Sequence, residues 1–278
     1  MPMVLASGGS TPDIQGASIT GAMKRALPMS DFERGTARSI PQASDMSMDA
    51  GLRAFMLGVY NKMALGLLLS AALAYATSSI PAVASLLYVT TPTGALAGFT
   101  LLGQIVRFAP LAMVLVAMLG MRNMSARTSG IYYWSIVTAI GAGLGIWLLI
   151  YTGASVFMTF LITATAFGAL SLVGYTTKKD LSGFGSFLIM GVWGLVIASL
   201  VNMFLHLPAI YWIINVVGVL IFAGLTAYDT QRLKMTYYQV KDSGEGMAVA
   251  TNMGALSLYL DFINLFQFLL AFMGGRRG

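Results

Sequence analysis

The longest charge-free stretch of this chain runs from Thr128 to Thr177, and it constrains the fold more than any other feature. A helix needs about 20 apolar residues to cross a hydrocarbon core of about 30 Å, so the stretch is long enough for two membrane spans. The turn-like sequence Tyr151-Thr152-Gly153 lies near its middle and predicts the point at which the chain reverses.

The composition of the whole chain also indicates a polytopic membrane protein. Of its 278 residues, 57% are hydrophobic and 9% are charged, whereas a soluble domain carries roughly 25% charged residues. The net charge of +6 does not predict nucleic-acid binding, because the lysines and arginines fall in the N-terminal part and in short loops. The absence of cysteine excludes disulfides, thiolate metal sites and a cysteine nucleophile. No P-loop motif occurs, so any transport is predicted to be passive or coupled to a gradient.

The apolar segments predict an all-α integral membrane protein with seven transmembrane helices in the lipid bilayer. The predicted spans are residues 57–80, 106–121, 131–151, 154–175, 184–206, 209–233 and 252–273. The stretch 81–105 is predicted to be a loop or a partly re-entrant segment. Residues 1–50 are rich in Gly, Ser, Thr, Pro, Asp and Arg without a sustained apolar period, which predicts a disordered tail before a transmembrane domain over 51–278.

The distribution of positive residues predicts the orientation of the spans. With the N-terminus on the inner side, the outer side carries Arg107, Arg276 and Arg277. The inner loops then carry Arg122, Arg127, Lys178, Lys179, Arg232, Lys234 and Lys241. The excess on the inner side predicts a cytoplasmic N-terminus and, with an odd number of spans, an outer C-terminus.

Two aspartates interrupt the last two predicted spans. Asp229 is the only formal charge between Leu181 and Thr230, and Asp261 is the only one in the apolar segment that follows Gly246. An ionisable side chain at bilayer depth costs about 2.5–3.5 kcal/mol on insertion scales, so it commonly marks an ion path or a proton relay. If the two spans form an antiparallel hairpin, the two carboxyl groups lie at similar depth and can meet.

Two carboxylates in contact at low dielectric do not both ionise easily, which predicts a pH-sensing pair that shares one proton. When protonated, the pair can bridge the two helices by a hydrogen bond; when deprotonated, it repels or recruits a cation. Ca²⁺ takes six to eight oxygen ligands, so Asp229 and Asp261 predict only a weak metal site, completed by other oxygens. Asn264 is one turn after Asp261 and is the favoured helper, ahead of Asn252 and Thr226.

Other interpretations of these residues stay open at this point. Each aspartate can lie at a helix end and reach the interface, and Asp229 can pair with Arg232 three residues later. Arg122, at the inner end of the second span, is either a counter-ion for the aspartates or an ordinary anchor at the inner surface.

An enzymatic function has a single weak indication in the sequence. Ser155 and His206 are predicted to lie on the same membrane side, as in a serine–histidine dyad. Gly-x-Ser is common, and a histidine beside a proline is a routine boundary residue. The chain is therefore predicted not to be an enzyme, and no cofactor is predicted.

Four stretches together resemble the Bax inhibitor-1, or transmembrane Bax inhibitor motif, family in its bacterial form. They are GLTAYD at 224–229, GALSLYLDFINLF at 254–266, GYTTKKDLSG at 174–183 and LRAFM at 52–56. The similarity covers roughly residues 51–277, and the run from Ala255 to Phe266 is its most specific part.

This resemblance implies a seven-helix fold whose last helix is central and wrapped by the other six. It also implies a pH-sensitive Ca²⁺ leak channel in the bacterial inner membrane, governed by a di-aspartyl pair that falls on Asp229 and Asp261. An arginine at the end of the family's second helix can latch the first of these acids, and Arg122 lies at the matching place. Some bacterial relatives instead look like modulators of a membrane protease, so a non-conducting regulator that binds other membrane proteins is the alternative.

Overall fold

The structure is a computed structural model that describes residues 49–91, 96–120 and 124–277. The predicted tail over residues 1–50 lies outside the described residues, except for its last two positions. Asp49 caps the first helix and Ala50 begins it, because the Asp49 carboxylate accepts hydrogen bonds from the backbone N–H groups of Gly51 and Leu52.

The described chain consists almost entirely of α-helices. In chain order they are α1 (Ala50–Ser79), α2 (Pro81–Leu87), α3 (Leu101–Gly120), α4 (Ala126–Ile150), α5 (Gly153–Thr176), α6 (Ser182–Leu205), α7 (Pro208–Val240) and α8 (Gly244–Met273). Six of them, α1 and α4 to α8, are long and apolar enough to cross a membrane. The all-α prediction is thereby confirmed, with six candidate membrane spans among the described residues. Helix α3 covers residues 106–120 of the predicted span 106–121 but is not one of those six, so a count of seven stays a prediction.

The described residues of the segment 81–105 form more regular structure than the predicted loop or re-entrant stretch. It contains α2, a short antiparallel hairpin of β1 (Tyr88–Thr90) and β2 (Leu96–Phe99), and the first turn of α3. In the hairpin, Tyr88 pairs with Phe99 and Val89 with Gly98. Apolar content alone does not distinguish such a hairpin from a loop, since its strands are only three and four residues long.

Helices α7 and α8 extend further toward each other than the predicted spans 209–233 and 252–273. Helix α7 continues to Val240, and α8 begins at Gly244, where the Ser243 hydroxyl accepts a hydrogen bond from the Gly246 N–H. The predicted bounds followed apolar character, whereas a helix can continue through polar residues once it leaves the hydrocarbon.

Helix α8 is the most buried of the six candidate spans. In the most apolar 18-residue stretch of α8, 50% is buried, whereas the corresponding stretch of α6 is 11% buried. It packs on α1, α4, α5 and α7, and Leu258, Tyr259, Leu265 and Leu270 are completely or almost completely buried. The arrangement of all six other helices around it stays a prediction. Helix α6 instead exposes large apolar side chains, which suits contact with lipid.

Small residues allow α1 and α4 to approach closely. A Cβ atom added to Gly141 would lie 2.7 Å from the Ser70 Cα, and one added to Gly145 would lie 2.1 Å from the Thr77 Oγ1. Close approach of backbones through small residues is the main means by which membrane helices associate. Across the same contact, the Thr77 hydroxyl donates to the Ala142 carbonyl at 3.1 Å.

We expect Gly141→Ala to destabilise the protein by about 1–3 kcal/mol, because the added methyl group meets the backbone of α1. Thermal unfolding in detergent would measure the change. Gly143→Ala on the same helix is the matched control, since its Cβ meets nothing nearer than Val106 Cγ1 at 3.9 Å. The control should be neutral or stabilising, because alanine favours a helix over glycine by about 0.5–1 kcal/mol. Equal effects of the two substitutions would contradict close packing at Gly141.

Candidate functional site

Asp229 and Asp261 lie on two helices that form an antiparallel hairpin. Asp229 belongs to α7 and Asp261 to α8, and the two helices are joined by the turn that precedes Gly244. The helices pack closely along their length. Both side chains are buried, with 8% and 4% of their surfaces exposed, so neither acid reaches water or lipid freely.

A serine of α8 binds the carboxyl group of Asp229. The Ser257 hydroxyl of α8 donates a hydrogen bond of 2.5 Å to Asp229 Oδ2. Ser257 precedes Asp261 by four residues, which is about 6 Å along a helix axis. The two acids are therefore offset by about one helical turn, with Ser257 rather than Asp261 directly opposite Asp229.

The two acids differ in how their oxygens are satisfied. Asp261 Oδ2 is buried and has no hydrogen-bond partner within the described part of the chain. Among the described residues no hydrogen bond joins the two carboxyl groups, so a direct proton bridge between them stays a prediction.

One of the two positive residues expected near the pair, Arg232, lies in the described part of the chain. Arg122 lies outside the described residues. Arg232 is exposed and makes no salt bridge with Asp229 among the described residues. The described side chains therefore do not form the alternative ion pair between Asp229 and Arg232.

The predicted helpers of a cation site make no hydrogen bond to either aspartate among the described residues. Asn264 donates its Nδ2 to the Leu260 carbonyl at 2.8 Å, and the Thr226 hydroxyl donates to the Phe222 carbonyl at 2.8 Å. Asn252 contacts Lys62 of α1 and Ser129 of α4 rather than an aspartate. Over residues 49–91, 96–120 and 124–277, no cluster of three or more His, Cys, Asp or Glu side chains is placed to hold a metal ion. The weak Ca²⁺ site stays a prediction.

Polar contacts near the C-terminal end of α7 were not foreseen from the sequence. Gln231 donates to the Lys179 carbonyl at 2.7 Å and accepts from the Leu181 N–H at 2.8 Å. The buried Lys234 Nζ donates to the Tyr175 carbonyl at 2.5 Å. These contacts hold the connection between α5 and α6 against α7, within two helical turns of Asp229. The sequence signal that was available is the spacing of three residues between Gln231 and Lys234, which places them on one face of a helix.

The C-terminal segment covers the opposite end of the bundle. The Thr152 N–H donates to the Gly275 carbonyl at 3.0 Å, and the Arg277 N–H donates to the Ile150 carbonyl at 2.9 Å. Ser155 Oγ accepts from the Gly275 N–H at 2.9 Å. His206 ends α6 with a positive φ of 51° and contacts the Phe204 carbonyl. Within the described chain, Ser155 and His206 are not hydrogen-bonded, so the dyad is not assembled.

The unpartnered oxygen of Asp261 generates a prediction about stability. We expect Asp261→Leu to raise the unfolding temperature, because replacing a buried, unsatisfied polar group by an apolar side chain of similar size removes its desolvation cost. Thermal unfolding in detergent would measure it. Thr226→Val is the control, since its hydroxyl is buried but satisfied, and it should leave stability unchanged or slightly reduced. A lower unfolding temperature for Asp261→Leu alone would show that the acid contributes to packing.

The sequence of this chain, including the hairpin of α7 and α8, is similar to those of known proteins. The sequence model of the family described as "Inhibitor of apoptosis-promoting Bax1" matches residues 52–278. A protein of Caulobacter vibrioides is 65% identical over 250 residues, which cover 90% of this chain and the whole of that protein. "Inner membrane protein YbhL" of Escherichia coli K12 is 42% identical over 230 residues, which cover 82% of this chain and 94% of the relative.

The family match extends from the first turn of α1 to the C-terminus, so it includes both aspartates and every helix described above. The relatives align over nearly their whole lengths, which means that the similarity is not confined to one motif. The chain therefore belongs to the Bax inhibitor-1 family of integral membrane proteins.

Proposed function

We propose that this protein is a pH-sensitive leak channel for cations, with Ca²⁺ as the transported ion, and that Asp229 and Asp261 gate it. The observation that carries the proposal is the buried Asp261 Oδ2 without a hydrogen-bond partner, one turn from a second buried acid. Such an oxygen is costly to leave ionised and unpartnered in a low-dielectric environment. Either a proton or a cation can remove that cost.

Protons and cations then compete for the same two carboxyl groups. When the pair carries one proton, the mutual repulsion of two buried negative charges is relieved and the helices stay together. When that proton leaves, the pair repels or attracts a cation. Because the two acids interact, they titrate as a pair rather than as independent groups.

The contacts at the two ends of the bundle support a closed arrangement. On the inner side, Gln231 and Lys234 hold the connection between α5 and α6 over α7. On the other side, the backbone of Gly275 bonds to the turn between α4 and α5. A cation that reaches the pair has to break at least one of these two sets of contacts. We assign opening to the contacts of Gln231 and Lys234, since these residues lie on the helix that carries Asp229.

A Ca²⁺ ion at the pair would be weakly held. The two carboxylates and the Ser257 hydroxyl supply fewer than the six to eight oxygens that Ca²⁺ takes, so carbonyls, water and the Asn264 side-chain oxygen would complete the set. Weak binding suits a conducting site, because an ion has to leave as well as enter. Arg122 is proposed as the counter-ion that holds the pair when no cation is present, on the strength of its matching place in the family.

Location and orientation follow from the same reasoning. The relative named as an inner membrane protein supports the bacterial inner membrane as the location. The N-terminus is proposed to be cytoplasmic, because Lys178, Lys179 and Lys241 lie in the connections on the side where α1 begins.

Flux into liposomes tests the gate. We expect wild-type protein to release or admit Ca²⁺ at a rate that depends on pH, and the double variant Asp229→Asn with Asp261→Asn to lose that dependence, because amides do not titrate. A fluorescent Ca²⁺ indicator at several pH values would record it. An unchanged rate and pH profile in the double variant would overturn the gating role.

Asp180→Asn is the matched control for this experiment. Asp180 is exposed in the connection between α5 and α6. Hydrogen bonds from the side chain and the backbone N–H of Ser182 hold the pKa of Asp180 below its usual value. It is therefore an acid that stays ionised near neutral pH. Because Asp180 lies in the connection that Gln231 contacts, its removal can change the rate of flux, but the midpoint of the flux–pH profile should stay unchanged.

Ser257→Ala tests the coupling between the two helices. The Ser257 hydroxyl hydrogen bond favours ionised Asp229, and a hydrogen bond to a charged group contributes about 1.5–3 kcal/mol. Its loss makes proton uptake easier, so the midpoint of the flux–pH profile should move upward by about one to two pH units. This direction holds whichever protonation state conducts. Ser186→Ala, an exposed serine of α6, is the control, and equal midpoints for all three proteins would contradict the role of Ser257.

A non-conducting regulator of other membrane proteins is the second candidate. The apolar surface of α6 favours it, since Phe187, Met190 and Phe204 are exposed there and could meet another membrane protein as well as lipid. Absence of flux from purified protein, with one partner co-purifying reproducibly, would support it. We propose that the chain is not an enzyme; proteolysis abolished by Ser155→Ala would contradict this.

A further inference from the structure

A groove of about 810 Å³ runs along α4, away from the aspartate pair. Helix α4 forms most of it, and Lys62 of α1, Val106 of α3 and Asn252 of α8 complete the lining. The lining positions on α4 extend from Ala126, its first residue, to Ala142, and they recur every three or four residues. They therefore form one continuous helical face.

One end of the groove carries two cations. Lys62 and Arg127 both line it, and Arg127 is exposed. Lys62 Nζ donates to the Asn252 Oδ1, and Asn252 donates through Nδ2 to the Ala126 carbonyl at 3.2 Å and to Ser129 Oγ at 2.8 Å. The ammonium group of Lys62 is thereby held at the level of the first turn of α4, beside Arg127.

The ammonium group of Lys62 retains donors for a ligand. An ammonium group has three N–H donors, and Asn252 is the single hydrogen-bond acceptor that Lys62 contacts among the described residues. Lys62 makes no salt bridge there either. Its Nζ lies 5.5 Å from the centroid of the Tyr133 ring. The acid Glu245 also lies near the first residue of α4, since its Oε1 accepts a 3.4 Å hydrogen bond from the Ala126 N–H. Glu245 does not line the groove, so the end of the groove that Lys62 and Arg127 line remains cationic.

The rest of the groove is mostly apolar. Ile131, Trp134 and Ala139 of α4 form its wall with Val106 of α3. From Ala126 to Ala142 the helix rises about 24 Å, at 1.5 Å per residue. One leaflet with its headgroups spans roughly half of the 40–45 Å thickness of a bilayer. The groove thus has the length of a single leaflet, with its charge at the surface end.

We propose that this groove binds one anionic phospholipid of the inner leaflet. The phosphate group contacts Lys62 and Arg127, and one acyl chain lies along the α4 wall. The charge of the headgroup explains why two cations line one end of the groove. The apolar wall explains why a lipid fits better than a soluble phosphate ion. This site is independent of the aspartate pair and does not require the chain to conduct ions.

Native mass spectrometry of the full chain would test the proposal by comparing phosphatidylglycerol with phosphatidylcholine. We expect the wild-type protein to retain phosphatidylglycerol preferentially. Each basic residue near a membrane surface contributes about fivefold in affinity, so Lys62→Gln with Arg127→Gln should weaken that binding by about 25-fold. The control is Lys178→Gln with Lys179→Gln, which removes the same charge from the same end of the bundle but outside the groove. Equal losses in the two double variants would overturn the site.

Two further variants keep the proposal falsifiable if the first does not fold. Arg127→Gln alone removes an exposed cation and should reduce binding about fivefold. Ala139→Leu narrows the apolar wall without altering charge and should also weaken lipid binding. Glycerol phosphate, which has no acyl chains, should fail to compete for the site. If it competes as well as the lipid while Ala139→Leu has no effect, the groove holds a phosphate ion and the lipid assignment is wrong.

Discussion

Two carboxyl groups buried between neighbouring membrane helices are the constraint on which the rest of this protein's chemistry depends. Each would cost several kcal/mol to insert as an ion, so the helices α7 and α8 have to supply compensation where they touch. They do so unequally. Asp229 receives the Ser257 hydroxyl, while one oxygen of Asp261 is left without a partner in the described structure. This asymmetry provides a vacant acceptor that a proton or a cation can occupy.

The surrounding fold holds that asymmetry in place. The most buried helix carries Ser257 and Asp261, so neither residue can move toward water without disturbing its contacts with α1, α4, α5 and α7. Tight packing of α1 against α4 through Gly141 and Gly145 gives α8 a rigid surface on one side. The contacts of Gln231 and Lys234 near the C-terminal end of α7 are easier to break, since they involve a connection rather than a packed helix. Buried groups that lower stability, such as the unpartnered oxygen of Asp261, are commonly retained for function.

The hydrophobic pattern was sufficient to predict six of the membrane helices and the burial of both aspartates. Length and apolar content determine where a helix can cross lipid, and an acid within such a segment has to lie between helices. The pattern did not predict the hairpin before α3, because strands of three and four residues leave no distinctive period. Nor did it predict that Ser257 would lie opposite Asp229. Helical spacing places Ser257 and Asp261 on one face, but the axial offset between two helices depends on packing that sequence spacing does not specify. The role of Arg122 as a counter-ion for the aspartates remains a prediction, since this residue lies outside the described residues.

Infrared spectroscopy of the protein in bilayers, titrated across the pH range in which flux changes, would test the central claim most directly. Carboxylic acid and carboxylate groups absorb at different frequencies, so the number of protons that the two acids bind can be followed in wild-type protein and in the two Asn variants. We expect one proton to be taken up by Asp229 and Asp261 together, and the single variants to alter the same titration step because the acids are coupled. Two independent titrations, each unaffected by the other substitution, would contradict the account.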